Sequence, residues 1–312
     1  MIFQIMQTVF FYIKNPLKTF AAIFRRTGTW LPDKTYLQIL YYLRMGKVLH
    51  LNNPKTFTEK LQWLKLYDRK PEYTMMVDKL AVKNYVSKII GEKYVVPTLG
   101  VWDRPEDIDW DSLPDKFVLK TKHGSGSVGV VICREKCTFN FREAIGKLKK
   151  SLKQDVYVDL REWPYKNVKK QIIAEMLLED SDTNKKDIID YKFFCFKGEP
   201  KYCQVIKDRH TKETIDFFDM QWRHLDFIGL NPVAEPSAIC SAICPTRPVC
   251  YEEMKQIAQT LSKGFPFVRV DLYEVNKKVY FSEITLYPKS GMGIFNPERY
   301  NYILGEMITL PR

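Results

Sequence analysis

The sequence predicts an α+β protein, and three features of the 312-residue chain lead to that expectation. Apolar residues recur at helical spacing up to about residue 90, strand-like runs joined by short turns follow from Phe117, and two strand pairs carry glycine or paired carboxylates. With 45% hydrophobic residues the chain can bury one large core or two to three smaller ones, as lobes around a cleft require.

The first stretch, MIFQIMQTVFFYIKNPLKTFAAIFRR, has 13 uncharged residues before Lys14, short of the ~20 needed to span a bilayer. No small-residue cleavage site follows the apolar run, so neither a transmembrane helix nor a secretory signal is expected. Phe3, Phe10, Phe11, Phe20 and Phe24 interleave with Lys14, Lys18, Arg25 and Arg26, a pattern shared by helices on a membrane surface and helices packed on a protein body. After Asn52-Asn53-Pro54, Phe57, Leu61 and Leu64 predict a helix with Thr56 or Thr58 as its N-cap. A second helix runs from Asp78 with Val82, Val86, Ile89 and Ile90 on its stripe and Gly91 as its stop.

YVVPTLGVW then reads as a strand, followed by FVLK, a glycine loop and VGVVIC, and by a helix bearing Ile145, Leu148 and Leu152. Strands continue through QIIAEMLL, IIDYKFFCF, KYCQVI and TIDFFD, with Lys197-Gly198-Glu199-Pro200 as a hairpin turn. A loop at 231–250 precedes a helix marked by Tyr251, Met254, Ala258 and Leu261, and PFVRVDLY with KVYFSEIT closes the pattern. There is no internal repeat and no low-complexity tract.

Lys and Arg number 49 against 37 Asp and Glu, so the +12 surface favours anionic partners. The excess is scattered in pairs such as Lys149 and Lys150 or Lys277 and Lys278, not gathered in one arm, and nucleic-acid binding is not expected. Seven scattered cysteines fit a reducing compartment, and Cys240, Cys244 and Cys250 lack the CxxC or His that a zinc site needs.

Two segments carry chemistry. In KFVLKTKHGSGSVGV, Gly124, Gly126 and Gly129 let backbone approach an anion, Ser125 and Ser127 add hydroxyls and Lys120 a charge. The order strand, loop, strand is neither a Walker loop nor a dinucleotide-binding turn. In VRVDLYEVNKKVYFSEIT, alternation puts Arg269 and Asp271 on one face, and Glu283 and Thr285 share a face likewise. A three-residue loop of Asn276, Lys277 and Lys278 would set Asp271 opposite Glu283. Two carboxylates ~4 Å apart repel by about 4 kcal/mol at an effective dielectric of ~20, so a cation belongs between them. Oxygen ligands alone suit magnesium or manganese, while Arg269 could serve as a purely structural counter-ion.

These segments, in this order, resemble the ATP-grasp superfamily and within it the TupA-like family, named for teichuronopeptide biosynthesis, over roughly positions 50–300. The resemblance implies the ATP-grasp fold: two α+β lobes enclosing ATP behind an N-terminal helical region. It implies divisions at 1–50 (helical, with a potential membrane-surface role), 51–115 (helical lead-in and N-terminal lobe), 116–178 (small lobe with the glycine loop) and 179–312 (C-terminal lobe with the metal site). By the same resemblance Lys79 and Lys120 reach the nucleotide phosphates, and HGSGSVGV, with His123, covers them. Glu175, Met176 and Leu178 hold adenine and Asp182 the ribose, while Lys192, Lys207 and Arg209 surround the transferring phosphate. RVDLY and FSEITLYP resemble the strand pair that holds Mg²⁺ through Asp271 and Glu283 beside Arg269, with Thr285 where many ATP-grasp proteins have Asn; the TupA-like pattern itself carries Thr and continues with a Pro and a Gly, here Pro288 and Gly291.

The implied activity is an ATP- and Mg²⁺-dependent ligase that activates a carboxylate as an acyl phosphate and joins it to an amine. The implied setting is surface-polysaccharide (capsule) biosynthesis, in the cytoplasm or at the inner membrane face. A kinase on the same nucleotide site and a glycosyltransferase or non-catalytic capsule protein remain as alternatives.

Overall fold

The computed structural model describes residues 16–124, 129–181, 188–208, 213–231 and 244–311. Helices α1 (Pro16–Thr27) and α2 (Asp33–Met45) open it and share a small core of Ala21, Tyr36, Leu37, Leu40 and Tyr41. Polar contacts fasten this pair to the segment 155–161. Arg25 meets Asp159 at 2.6 Å, and the buried Arg161 lies 4.1 Å over the Tyr36 ring while donating to the Thr29 carbonyl at 2.6 Å.

Helix α3 (Phe57–Tyr67) begins with a capping box, which identifies Thr56 as the cap: its hydroxyl accepts from the Glu59 N–H at 3.2 Å, and the Glu59 carboxylate accepts from the Thr56 N–H at 3.0 Å. Phe57, Leu61 and Leu64 are buried, as their spacing predicts. After α4 (Glu72–Val77), the Asp78 carboxylate accepts from the N–H groups of Leu80 and Ala81 and starts α5 (Ala81–Ile90), which stops at Gly91 with φ 106°.

Strands β1 (Thr98–Trp102), β2 (Phe117–Thr121), β3 (Val131–Cys133) and β4 (Ile172–Met176) form an antiparallel sheet in the order β1-β4-β2-β3. Its first strand comes from the segment 51–115, so the small lobe is not confined to 116–178. Helix α6 (Phe141–Leu152) covers one face, where Ala144 and Leu148 pack on Phe117, Leu119, Val131, Ile172 and Ala174. A short helix α7 (Val156–Leu160) then leads back toward β4. The strand after the glycine loop starts only at Val131, because Gly129 turns the chain with φ 82°.

The large antiparallel sheet runs β11-β10-β5-β6-β7-β8, from β5 (Asp190–Phe196), β6 (Glu199–Lys207), β7 (Thr214–Asp219), β8 (His224–Leu225), β10 (Phe267–Val275) and β11 (Lys278–Thr285). Lys197 and Gly198, both at positive φ, make the β5–β6 turn. Helix α8 (Tyr251–Leu261) covers one face, with Tyr251 stacked on Phe193. The other face is divided. Half is aromatic, with Phe194, Phe196 and Phe267 around Phe57 of α3 and with Phe295 of the small hairpin β9 (Ile228–Asn231)–β12 (Ile294–Asn296). The remaining half carries charge. The last helix, α9 (Arg299–Met307), packs back on α3, the Asn301 side chain accepting from the Thr58 N–H at 3.1 Å.

The β10–β11 hairpin differs from the expected three-residue loop. Val275 pairs with Lys278, so Asn276 and Lys277 alone turn the chain, both at positive φ. A β-bulge then shifts the register by one: Leu272 pairs with Phe281, but Asp271 pairs with Glu283, leaving Ser282 extra. The carboxylates face each other as expected, by a different route.

Candidate active site

A cleft of about 310 Å³ lies between the two sheets. On β2 and β4 the residues turned away from α6 form its first wall: Val118 and Lys120, beside their register partners Glu175 and Ile173. Lys83 of α5 joins them from below, and the buried Glu175 carboxylate accepts from Lys83 at 2.7 Å and from Lys120 at 2.6 Å. Burial works to raise the Glu175 pKa, but the two ammonium groups win and hold it below the usual carboxylate value. Val96, Val130, Ile132, Met176, Leu177 and Leu178 add an apolar slot beside these charges.

The opposite wall is a row across three strands. Lys192 on β5 faces Asp271 on β10, which faces Glu283 on β11, and residues opposite each other in a sheet share a face. Arg269, two residues before Asp271, donates to its carboxylate at 2.7 and 2.6 Å, to Glu283 at 3.1 Å and to Thr285 Oγ1 at 3.0 Å. Lys192 donates to Asp271 as well and lies 3.7 Å from Asp190. Asp271 is wholly buried, whereas the Glu283 side chain keeps 37% of its surface open. Burial pushes the Asp271 carboxyl up while Arg269 and Lys192 pull it back. Glu283 is burdened by desolvation, yet Lys192, Arg269 and Lys79 bring it down to about 2.

The bulge has a consequence here. Phe281, Ser282 and Glu283 all line the cleft, which strict alternation along a regular strand would forbid.

Lys79 reaches in from the turn before α5. Its N–H donates to the Lys122 carbonyl at 3.2 Å, Lys122 pairs with Asp78 at 3.0 Å, and its own ammonium donates to the Gly124 carbonyl. Burial lowers its pKa, with Glu283 working the other way. The glycine loop is thereby tied to the lysine at its root. A Cβ at Gly124 would come within 2.5 Å of Thr121 Oγ1, and one at Gly129 within 2.2 Å of Ser151 Oγ, so these two glycines are required by packing at the loop's base.

Of the residues picked from the sequence, Lys79, Lys120, Glu175, Met176, Leu178, Lys192 and Glu283 line the cleft, and Arg269, Asp271 and Thr285 form the hydrogen-bonded group around Glu283. The Glu175 carboxylate is engaged by two lysines, which leaves neighbouring backbone and the apolar slot for a ring. His123, expected with the glycine loop to cover the phosphates, is 2% exposed, and burial lowers its pKa. Lys207 is not among the lining residues: Gln204 and Ile206 pair with Lys192 and Asp190, which puts Lys207 on the other face by alternation. Ser125, Gly126, Ser127, Asp182 and Arg209 lie outside the described residues.

Three charged lining residues, Lys83, Arg134 and Asp190, were not picked. Lys83 follows Lys79 by one helical turn and Asp190 precedes Lys192 by two on one strand, and either spacing was a usable signal. Arg134, just past β3, had none.

The family model described as TupA-like ATPgrasp matches residues 59–309. The chain belongs to the TupA-like ATP-grasp family. No curated protein matches the sequence. Among solved structures, the D-alanine-D-alanine ligase of Helicobacter pylori is 14% identical, with 82% of this chain and 70% of that one covered at TM-score 0.44. The D-alanine-D-alanine ligase of Bacillus anthracis complexed with ATP is 16% identical, with 75% and 63% covered and TM-score 0.41. The N5-carboxyaminoimidazole synthetase of Staphylococcus aureus is 16% identical, with 76% and 53% covered at TM-score 0.41. Likenesses this distant carry no argument about chemistry. The family membership rests on the sequence match, and the two α+β lobes with an N-terminal helical pair agree with it.

Proposed function

We propose that this ATP-grasp protein is a carboxylate-amine ligase that uses ATP and Mg²⁺. One observation carries the reading: a lysine-lined wall and a carboxylate-bearing wall face each other across a cleft that also has an apolar slot. The donor set fits a hard divalent cation. Among the described residues no group of three or more His, Cys, Asp or Glu converges, and two opposed carboxylates with room for phosphate and water oxygens are what magnesium sites commonly use. Mg²⁺ held by Asp271 and Glu283, with Thr285 beside them, would neutralise charge on the transferring phosphoryl group.

The chain's own residues then have distinct tasks. Lys79 and Lys120 bind phosphate oxygens, and Ser125, Gly126 and Ser127 supply backbone and hydroxyl donors to them. Backbone of Glu175 to Leu178 and the slot beside it orient the base, with Asp182 at the ribose. Arg269 and Lys192 are preorganised donors for charge that develops during transfer, the kind of contact that lowers a barrier most. The γ-phosphate passes to a carboxylate oxygen; an amine nitrogen then bonds to the acyl carbon as phosphate leaves, and no protein nucleophile is needed.

The TupA-like membership supports a uronic acid carboxylate of a surface-polysaccharide precursor as the acid and an amino acid or similar small amine as its partner, with the +12 charge suiting an anionic substrate. Purified protein with ATP and Mg²⁺ is tested against uronic acids, their nucleotide-linked forms and amino acids, with mass spectrometry of the product. Phosphate release that needs both acid and amine, with an amide-sized mass gain, is the expected result. Phosphate retained on the product would mean a kinase, and release with amino acids or peptides alone would remove the uronic acid.

A second reading concerns location. No helix among the described residues is long and apolar enough to cross a membrane. On α1, Leu17, Phe20 and Ile23 fall on one face at 40%, 59% and 53% exposure, and Trp30 follows at 79%. Lys18, Arg25, Arg26, Lys34, Arg44 and Lys47 against one acid, Asp33, make the region 16–50 strongly basic. That combination fits peripheral contact with an anionic membrane surface on the cytoplasmic side. Co-sedimentation with phosphatidylserine-containing vesicles, lost in Phe20→Glu, is the expected result; equal recovery without vesicles would remove the reading.

A further inference from the structure

A second set of buried polar groups lies behind the acid row. Lys65, in the middle of α3, is wholly buried. Its ammonium donates to the Ser290 carbonyl at 2.7 Å, to Ser290 Oγ at 2.6 Å and to the Leu160 carbonyl at 3.1 Å. An ammonium has three protons and no lone pair, so all three are used and this lysine has none left for a ligand. One turn earlier on the helix, Gln62 donates to the carbonyls of Ser290 and Gly291, both at 2.9 Å. The Glu162 carboxylate is also buried; burial raises its pKa, and the Lys65 ammonium and then the Ser290 hydroxyl work against that rise.

The object of these bonds is a strained turn. Lys289, Ser290 and Gly291 have φ of 49°, 56° and 63° in succession. Non-glycine residues are strained there, and such conformations persist only where the surroundings over-determine them. Here four side-chain hydrogen bonds from Gln62 and Lys65 do so. The turn begins three residues after Thr285, at the end of β11, the strand that carries Glu283. Tyr165, three residues after Glu162, is half-buried; burial raises its pKa, Glu162 and Glu283 add to the rise and Arg269 opposes it. Helix α3, the segment 160–165 and the turn therefore meet behind the acid row.

We propose that Lys65, with Gln62 and Glu162, is a clamp of positioning residues: it holds the turn Pro288–Gly291 in its left-handed form and so fixes the end of β11, where Glu283 and Thr285 await a metal-nucleotide. This rests on the nucleotide reading above. The clamp touches no reacting atom. It acts as outer-shell partners of metal ligands do, whose loss commonly weakens metal binding by about 10- to 100-fold.

The test uses the full chain and no acceptor substrate. ADP binding is titrated with and without Mn²⁺ for the wild type, Lys65→Met, Ser290→Ala and Gly291→Ala, with folding followed by thermal melting. Ser290→Ala removes one acceptor from the lysine and leaves the helix intact. In Gly291→Ala a new Cβ would lie 2.5 Å from Gln62 Nε2 and push that side chain aside. ADP affinity without metal, which depends on the lysine wall, stays as in the wild type, while the gain that Mn²⁺ gives falls about tenfold or more in each folded variant. A merely structural role would lower both affinities together or neither. If Lys65→Met does not fold, the two turn variants carry the test. Folded turn variants with the full Mn²⁺ gain would overturn the clamp alone; a wild type that binds no ADP under either condition would overturn the nucleotide reading and the clamp with it.

Discussion

Along β2 burial alternates residue by residue, with Phe117, Leu119 and Thr121 inside and Val118 and Lys120 half open, whereas along β5 all seven residues from Asp190 to Phe196 are buried. The small sheet has one covered face and shows its cleft face as a break in hydrophobicity. The large sheet is covered on both faces, by α8 on one and by α3 and the cleft wall on the other. Its functional face therefore shows only as charges inside an apolar run, and those charges must neutralise one another. Lys120 and Lys83 share the Glu175 carboxylate, with Lys120 still 20% open, while Asp271 is enclosed by two cations and has no open surface. Electrostatics on the first wall is adjustable, and on the second it is part of the core.

Substitutions should expose that difference. The largest effect is expected for Asp271→Asn. Breaking a buried ion pair by removing one partner costs about 3–5 kcal/mol, so this variant should lose ATP turnover and also melt well below the wild type. Calorimetry alongside a turnover assay checks both, and an unchanged melting temperature would mean the second wall is not core. Glu283→Gln, at the rim of the same row, should abolish turnover with a smaller fall in melting temperature than Asp271→Asn, since its side chain keeps 37% of its surface open.

Lys120→Met on the first wall should raise the ADP dissociation constant about tenfold or more, the loss of roughly one charge-assisted contact, with little change in melting because Lys83 still pairs Glu175. Equal loss of stability in Lys120→Met and Asp271→Asn would erase the contrast between the walls.

The smallest effect is on acid stability. The folded Glu283 pKa of about 2 lies below its ordinary value of 4.5, so its stabilising contribution is present above 4.5 and is lost as pH falls toward 2. The wild type should therefore approach Glu283→Gln in stability across that window, as followed by denaturant titration at several pH values. Parallel curves would show that the carboxylate is not held by the row.

Much of this was legible in the sequence, for identifiable reasons. The helical stripes of α3 and α5 and the alternation of β2 are set by local periodicity. Asp271 opposite Glu283 followed from counting residues about a turn, although the count was wrong at the tip and rescued by the bulge at Ser282. A bulge has no compositional mark, so it could not have been foreseen. The Lys83 to Glu175 pair joins residues 92 apart, and Lys65 to Ser290 residues 225 apart, and no local pattern reports such meetings. Lys207 was misplaced because a match to a motif gives position along a strand but not the face on which a side chain emerges.

That bulge also bears on which changes in length this hairpin can absorb. Beyond Ser282 the two strands are offset by one residue, and the shorter tip at Asn276-Lys277 takes up the difference. The hairpin thus has a slack point between its tip and its working end. Deleting Ser282 alone would keep the two-residue tip and let Leu272–Phe281 and Asp271–Glu283 follow each other in a straight ladder. Adding one residue at the tip as well would give a three-residue loop with the same carboxylates opposite each other. Single-residue changes in this hairpin are therefore expected to be absorbed at the tip or at the bulge, with Asp271 kept opposite Glu283.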